Sequence, residues 1–293
     1  MSEMAMRWEK ARRSDNVVDA RGRGRSGMRM GGGLGLGGIA VVVILSLVMG
    51  EDPLRVLSQI TGGATTQAPA QRTSSTGEAD QDIQFVQAIL GDTEDTWDAL
   101  FATEGSQYRR PLLEVFNGST QSACGFASSA VGPFYCPGDG KVYLDLTFFQ
   151  ELEQRFNASG DFAQAYVIAH EVGHHVQNLV GLPKQIQAAR QKGTPMEGAT
   201  GLSVRQELQA DCYAGVWAYN AQQRLDWMEP GDLEAALTAA TAIGDDRLQQ
   251  QGQGRVVPDS FTHGTSEQRV RWFKRGFEKG SPAECDTFKA KQL

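Results

Sequence analysis

Residues 166–177 read Tyr166-Val-Ile-Ala-His170-Glu171-Val-Gly-His174-His175-Val-Gln177. The pattern His-Glu-x-x-His lies inside an apolar-periodic stretch. Asp161, with Gln164 three residues on, is expected to cap a helix that runs to Gly181. On a helix, positions i and i+4 share a face, so the imidazoles of His170 and His174 can hold one ion. With 4 His in 293 residues, chance gives only about 0.003 such matches. The other reading, a buried structural His pair, is much the weaker. Zinc suits imidazole and carboxylate, and a catalytic site needs three protein ligands with one position left open. Glu171 follows the first ligand, where it can take a proton from the attacking water.

The third ligand is expected on the next strong helix. Ser203 and Gln206 form a capping signal, and Glu207-Leu-Gln-Ala-Asp211 follows. Glu207 and Asp211 are again i and i+4. Giving Glu207 to the metal leaves Asp211 to orient a ligand histidine through its free N–H; the reverse assignment remains open. A solvated acidic stripe is disfavoured because Leu208, Ala210, Ala214 and Trp217 mark a buried helix, where a carboxylate needs a partner. His175 is rotated about 100° from His174 and should not share the ion. His263 precedes a helix capped by Thr265 and Gln268. It can serve either as an oxyanion donor or as a locally bonded loop residue.

Further out, Ile83–Phe101 suggests helix and Leu112–Phe116 a strand. Phe134–Cys136 and Val142–Leu146 flank an Asp139-Gly140 turn and read as a hairpin. Val142–Leu146 is a candidate sheet edge for an extended peptide. Asp232–Ile243 and Thr265–Phe277 suggest two more helices. Helices outnumber strands, so the expected class is α+β, mainly helical with a small sheet. Cys124, Cys136, Cys212 and Cys285 allow three pairings or free thiols. The favoured bonds are Cys124–Cys136, closing the hairpin region, and Cys212–Cys285, tying the C-terminus to the second helix.

The 28 basic and 35 acidic residues give a net charge of −7, which argues against nucleic acid as a partner. Charge is uneven, with eight basic and four acidic groups in residues 1–29. Residues 30–50 carry no charge, just long enough for a transmembrane helix. The expectation is a basic cytoplasmic tail (1–29), a single transmembrane helix (30–50), a flexible linker (51–80) and a folded domain (81–293). Arg21, Arg23, Arg25 and Arg29 would keep the N-terminus inside and the domain outside. A cleaved signal peptide is the rival reading.

Three segments, residues 167–177, 207–217 and 253–265, together with Arg7-Trp8, Ser14–Val17 and Gly132–Pro137, resemble the bacterial neutral zinc metallopeptidase family of YpfJ-like proteins. The resemblance implies a zincin-type domain, Zn2+ and a single-pass protein of the bacterial inner membrane with a periplasmic domain acting on peptide or protein. Similarity to gluzincins puts Glu207 where the third ligand belongs and Asp211 where its supporting carboxylate belongs. The expected function is a membrane-anchored zinc endopeptidase. A catalytically silent zinc scaffold and a zinc amide hydrolase acting on a non-protein substrate are the alternatives.

Overall fold

A computed structural model describes residues 6–21, 76–156 and 158–293. The sheet that supports the site has four strands: β1 (Val17–Asp19), β2 (Leu112–Phe116), β5 (Phe134–Cys136) and β6 (Lys141–Asp145), in the order β1-β2-β6-β5. β1 and β2 run parallel, as do β2 and β6, while β5 returns antiparallel on β6. The Asp139 turn therefore forms its hairpin, as the spacing predicts. The edge expectation for Val142–Leu146 is corrected: β6 is flanked on both sides, and β5 is the edge beside the cleft.

Every residue from Val142 to Asp145 is buried because β6 is covered on both faces. Leu113, Val115, Val142 and Leu144 join the main core. Phe116, Cys136 and Tyr143 form a small cluster apart from it. A second hairpin, β3 (Ser119–Ser122) and β4 (Gly125–Ser128), is tied at its turn to β5 by the Cys124–Cys136 disulfide. Cys212–Cys285 forms as well, so both favoured pairings are present.

The helical part comprises α1 (Thr76–Thr103), α2 (Thr147–Phe156), α3 (Asp161–Leu179), α4 (Leu182–Gln191), α5 (Leu202–Leu225), α6 (Asp232–Ala242), α7 (Asp245–Gln253) and α8 (Ser266–Lys279). Two glycine contacts set their spacing. A Cβ on Gly173 of α3 would lie 3.0 Å from the Ala210 carbonyl oxygen of α5. A Cβ on Gly276 of α8 would lie 2.0 Å from the Cys212 carbonyl oxygen. Backbones thus approach where a side chain would hold them apart. Thr265 and Gln268 form the expected capping box of α8. Asp161 and Ser203 do not cap: Gly160 and Gly201 hold those positions, and the Asp161 carboxylate instead accepts the Trp8 indole N–H at 3.1 Å.

That bond belongs to the main correction. Among the described residues, 6–21 belong to one unit with those from Gly77 onward. Met6 and Trp8 are buried. Asn16 and Ala20 bracket β1 with backbone bonds to Leu113 and Val115. Arg12, Ser14 and Asn16 all donate to the fully buried Glu94 at 2.7 Å. A lone crossing at residues 30–50 would put these partners on opposite sides of a bilayer. That stretch lies outside the described residues, and among the described residues no helix is long and apolar enough to cross a membrane. The expected α+β class with a preceding transmembrane helix is therefore corrected to a mixed helix-and-sheet domain, without support for the membrane segment. Its N-terminal segment completes the sheet.

Candidate metal centre

α3 is buried around most of its circumference, and its crossing with α5 at Gly173 sets two i, i+4 pairs against each other. Nitrogens of His170 and His174 and a carboxylate oxygen of Glu207 lie within 4.8 Å of one another. Glu207 Oε2 is 3.2 Å from His170 Nε2 and 3.5 Å from His174 Nε2. The two rings stand edge to face, with centroids 4.8 Å apart.

The opposite ring nitrogens are both engaged. His170 Nδ1 is 2.8 Å from Asp211 Oδ1, and His174 Nδ1 is 2.9 Å from Gln177 Oε1. Gln177 uses its amide N–H groups on the Gln206 carbonyl and Gln209, which turns its oxygen toward His174. With an ion bound, protons at Nδ1 would satisfy both acceptors and leave the two Nε2 lone pairs free to ligate beside Glu207. Two imidazoles and a carboxylate in that tautomer fit zinc. Asp211 sits at the other edge of the His170 ring, away from the converging atoms.

Asp211 is fully buried. Arg269 reaches both of its oxygens at 2.9 Å, and the Tyr166 hydroxyl donates at 2.6 Å. Burial opposes its charge, but Arg269 and His170 outweigh that and hold the carboxyl well below its ordinary range. Burial likewise disfavours charge on His170, yet Asp211 and Glu207 lift its pKa to about 10. The metal-free ring thus carries a proton that an ion must displace.

Glu171 is buried, with 8% exposure, and lines a cleft of about 540 Å³ with His170, His174, Glu207 and His263. Among the described residues no protein group bonds its carboxylate. His263 is half exposed and its ring is positioned from behind. Nδ1 lies 3.2 Å from Asp245 Oδ1, while Asp245 Oδ2 accepts the backbone N–H groups of Thr262, His263 and Gly264. The hydrogen bond to Asp245 raises the His263 pKa. His175 points elsewhere, to the Arg109 carbonyl and the Tyr135 hydroxyl.

Sequence reasoning passed over Tyr166, Gln177, Asp245 and Arg269. Two signals were available. Tyr166 lies four residues before His170 on the same helical face. Arg269 opens an i, i+3, i+4, i+7 face with Trp272, Phe273 and Gly276, all buried. A charged residue on a buried stripe calls for a charged partner.

The family described as "Putative neutral zinc metallopeptidase" matches residues 6–288, including the N-terminal segment that completes the sheet. The chain is 50% identical to "Uncharacterized protein YpfJ" of Escherichia coli (strain K12) over 288 residues, 97% of this chain and 99% of that protein. It is 44% identical to "Uncharacterized protein Rv2575" of Mycobacterium tuberculosis (strain ATCC 25618 / H37Rv) over 259 residues, 85% of this chain and 86% of that protein. No solved structure matches significantly. A two-histidine, one-carboxylate cluster in a cleft agrees with what that family name requires, and the chain belongs to the "Putative neutral zinc metallopeptidase" family.

Proposed function

We propose that the protein is a zinc endopeptidase in which His170, His174 and Glu207 hold the metal and Glu171 is the general base. One observation carries this reading: the donors of those three residues converge in a cleft that also holds the Glu171 carboxylate, to which no group among the described residues hydrogen-bonds. Zinc, when bound, supplies Lewis acidity at the scissile carbonyl and makes water a competent nucleophile near neutral pH.

The remaining work falls to the chain. Glu171 accepts the proton of the attacking water and passes it to the leaving amine. Asp211, clamped by Arg269 and Tyr166, holds His170 in the Nδ1–H tautomer, and Gln177 does the same for His174. His263, braced by Asp245, lines the cleft, and an N–H on its other nitrogen would stabilise the developing oxyanion. The family's peptidase description implies a peptide or protein substrate. Two disulfides support an oxidising compartment outside the cytoplasm as the place of action.

The test compares the cleavage products of wild-type and Glu171→Gln protein in a defined peptide mixture by mass spectrometry. Products that depend on Glu171 and disappear on zinc removal are expected. Identical products from both proteins would reject Glu171 as the base. Absence of peptide products, with hydrolysis of a non-peptide amide, would reject the peptidase reading.

A further inference from the structure

The cleft walls carry a chemistry of their own. Among the described residues only a few large apolar side chains are strongly exposed, and two of them, Val131 at 61% and Leu248 at 38%, line this cleft. They come from different parts of the fold. Val131 ends the short turn between β4 and β5, and Leu248 lies on α7. Pro133, Phe134, Phe148 and Ile243 line the same cleft.

The charged side chains there are already committed. Glu207 belongs to the donor cluster. Arg269 is bonded to Asp211, Tyr166 and the Ile243 carbonyl. Glu171 is the base under the proposed function. Among the described residues no lysine and no aspartate lines the cleft, so an acidic or basic substrate side chain would lose its hydration without gaining a partner there. An apolar side chain would instead cover Val131 and Leu248 and release the water they now order.

We infer that the cleft selects peptides with an apolar residue, of leucine or phenylalanine type, beside the scissile bond, and that Val131 and Leu248 determine this preference. The inference rests on the peptidase reading and deepens it by naming the substrate class.

The test uses zinc-loaded protein and acetylated decapeptides that differ at one position: Leu, Phe, Gly, Asp or Lys. kcat/KM for the Leu and Phe peptides should exceed that for the Asp and Lys peptides by at least about tenfold, the scale on which apolar pockets discriminate. Leu248→Lys and Val131→Lys alter exposed positions, and zinc content and Tm verify that both variants fold. Each should lose most of the apolar preference and gain relative activity on the Asp peptide.

Binding of the same peptides to Glu171→Gln protein, followed by NMR, reads the pocket without turnover. Equal affinity for all five peptides would overturn the inference. Cleavage without side-chain preference would overturn it while leaving the peptidase reading intact. Apolar binding preference with no cleavage of any peptide by the wild-type protein would do the reverse.

Discussion

Replacing Gly276 by alanine probes whether helix spacing, far from the donors, sets the metal site. The added Cβ would sit 2.0 Å from the Cys212 carbonyl oxygen and 2.9 Å from the Val216 backbone nitrogen. Both obstacles are backbone, so no rotamer change relieves them. Restoring ordinary contact requires α5 and α8 to part by about 1.4 Å. The Arg269–Asp211 bonds, both 2.9 Å, span that same interface. Parting the helices would stretch them beyond hydrogen-bond range. Overpacking costs about 1–3 kcal/mol, and each weakened charged bond about 1.5–3 kcal/mol. Alanine's helix propensity returns only about 1 kcal/mol. The lower ends of these figures, with two such bonds weakened, leave a net loss of at least about 3 kcal/mol, which lowers Tm by roughly 6–12 °C or more for a domain of this size. Loosening of Asp211 should also weaken zinc binding by about 10–100-fold. Gly252 on α7 is the internal control, because nothing lies within 4 Å of its added Cβ; Gly252→Ala should be neutral or slightly stabilising. Thermal unfolding of both variants, with zinc affinity from chelator competition, decides the matter. Unchanged Tm and affinity in Gly276→Ala would refute the packing argument. A lowered Tm with unchanged affinity would refute only the link from α8 to the metal site.

Three other outcomes are expected. His170→Ala, His174→Ala and Glu207→Ala should each lose most of a one-to-one zinc content, and metal analysis showing full occupancy in all three would reject the donor set. Glu207→Gln should weaken zinc more than Asp211→Asn, because Asp211 stands behind His170; titration of both at one pH would expose the reverse order, which would make Asp211 the ligand. Asp145 accepts N–H bonds from Gly118 and Thr147 and hydroxyl bonds from Ser129 and Thr147, and although burial opposes its charge, these bonds lower its pKa. Its stabilisation is therefore present above the unfolded carboxyl value of about 3.9 and lost as pH falls through the folded value, so the Tm deficit of Asp145→Asn should shrink below about pH 4 and would contradict this account if it were flat from pH 7 to 3.

What could be read in advance followed helical periodicity. His170 with His174, and Glu207 with Asp211, are spacings that any helix converts into a shared face, and their burial was marked by the apolar residues around them. The Thr265 and Gln268 box was legible because both of its bonds are local. Asp161 shows the limit: its local signal is a cap, but the fold gives its carboxylate to Trp8, more than 150 positions earlier. β1 was missed because three residues cannot display strand alternation, and its pairing with β2 is parallel and distant. The same blindness produced the membrane expectation. Residues 30–50 read as a span only while the residues before them are taken for a free tail.

β1 leaves the ribosome early, yet its partner β2 is made about 95 residues later. Until then Trp8 has no Asp161 and Ser14 has no Glu94, so the start of the chain waits for its own later synthesis. A chain trimmed to begin near residue 76, as though the preceding part were a disposable leader, would keep every metal ligand and Glu171. It would also bare the backbone edge of β2 and leave Glu94 buried with fewer partners. Open strand edges recruit other strands, so the expected fate of the trimmed chain is self-association, with the zinc chemistry complete on paper and its scaffold unfinished.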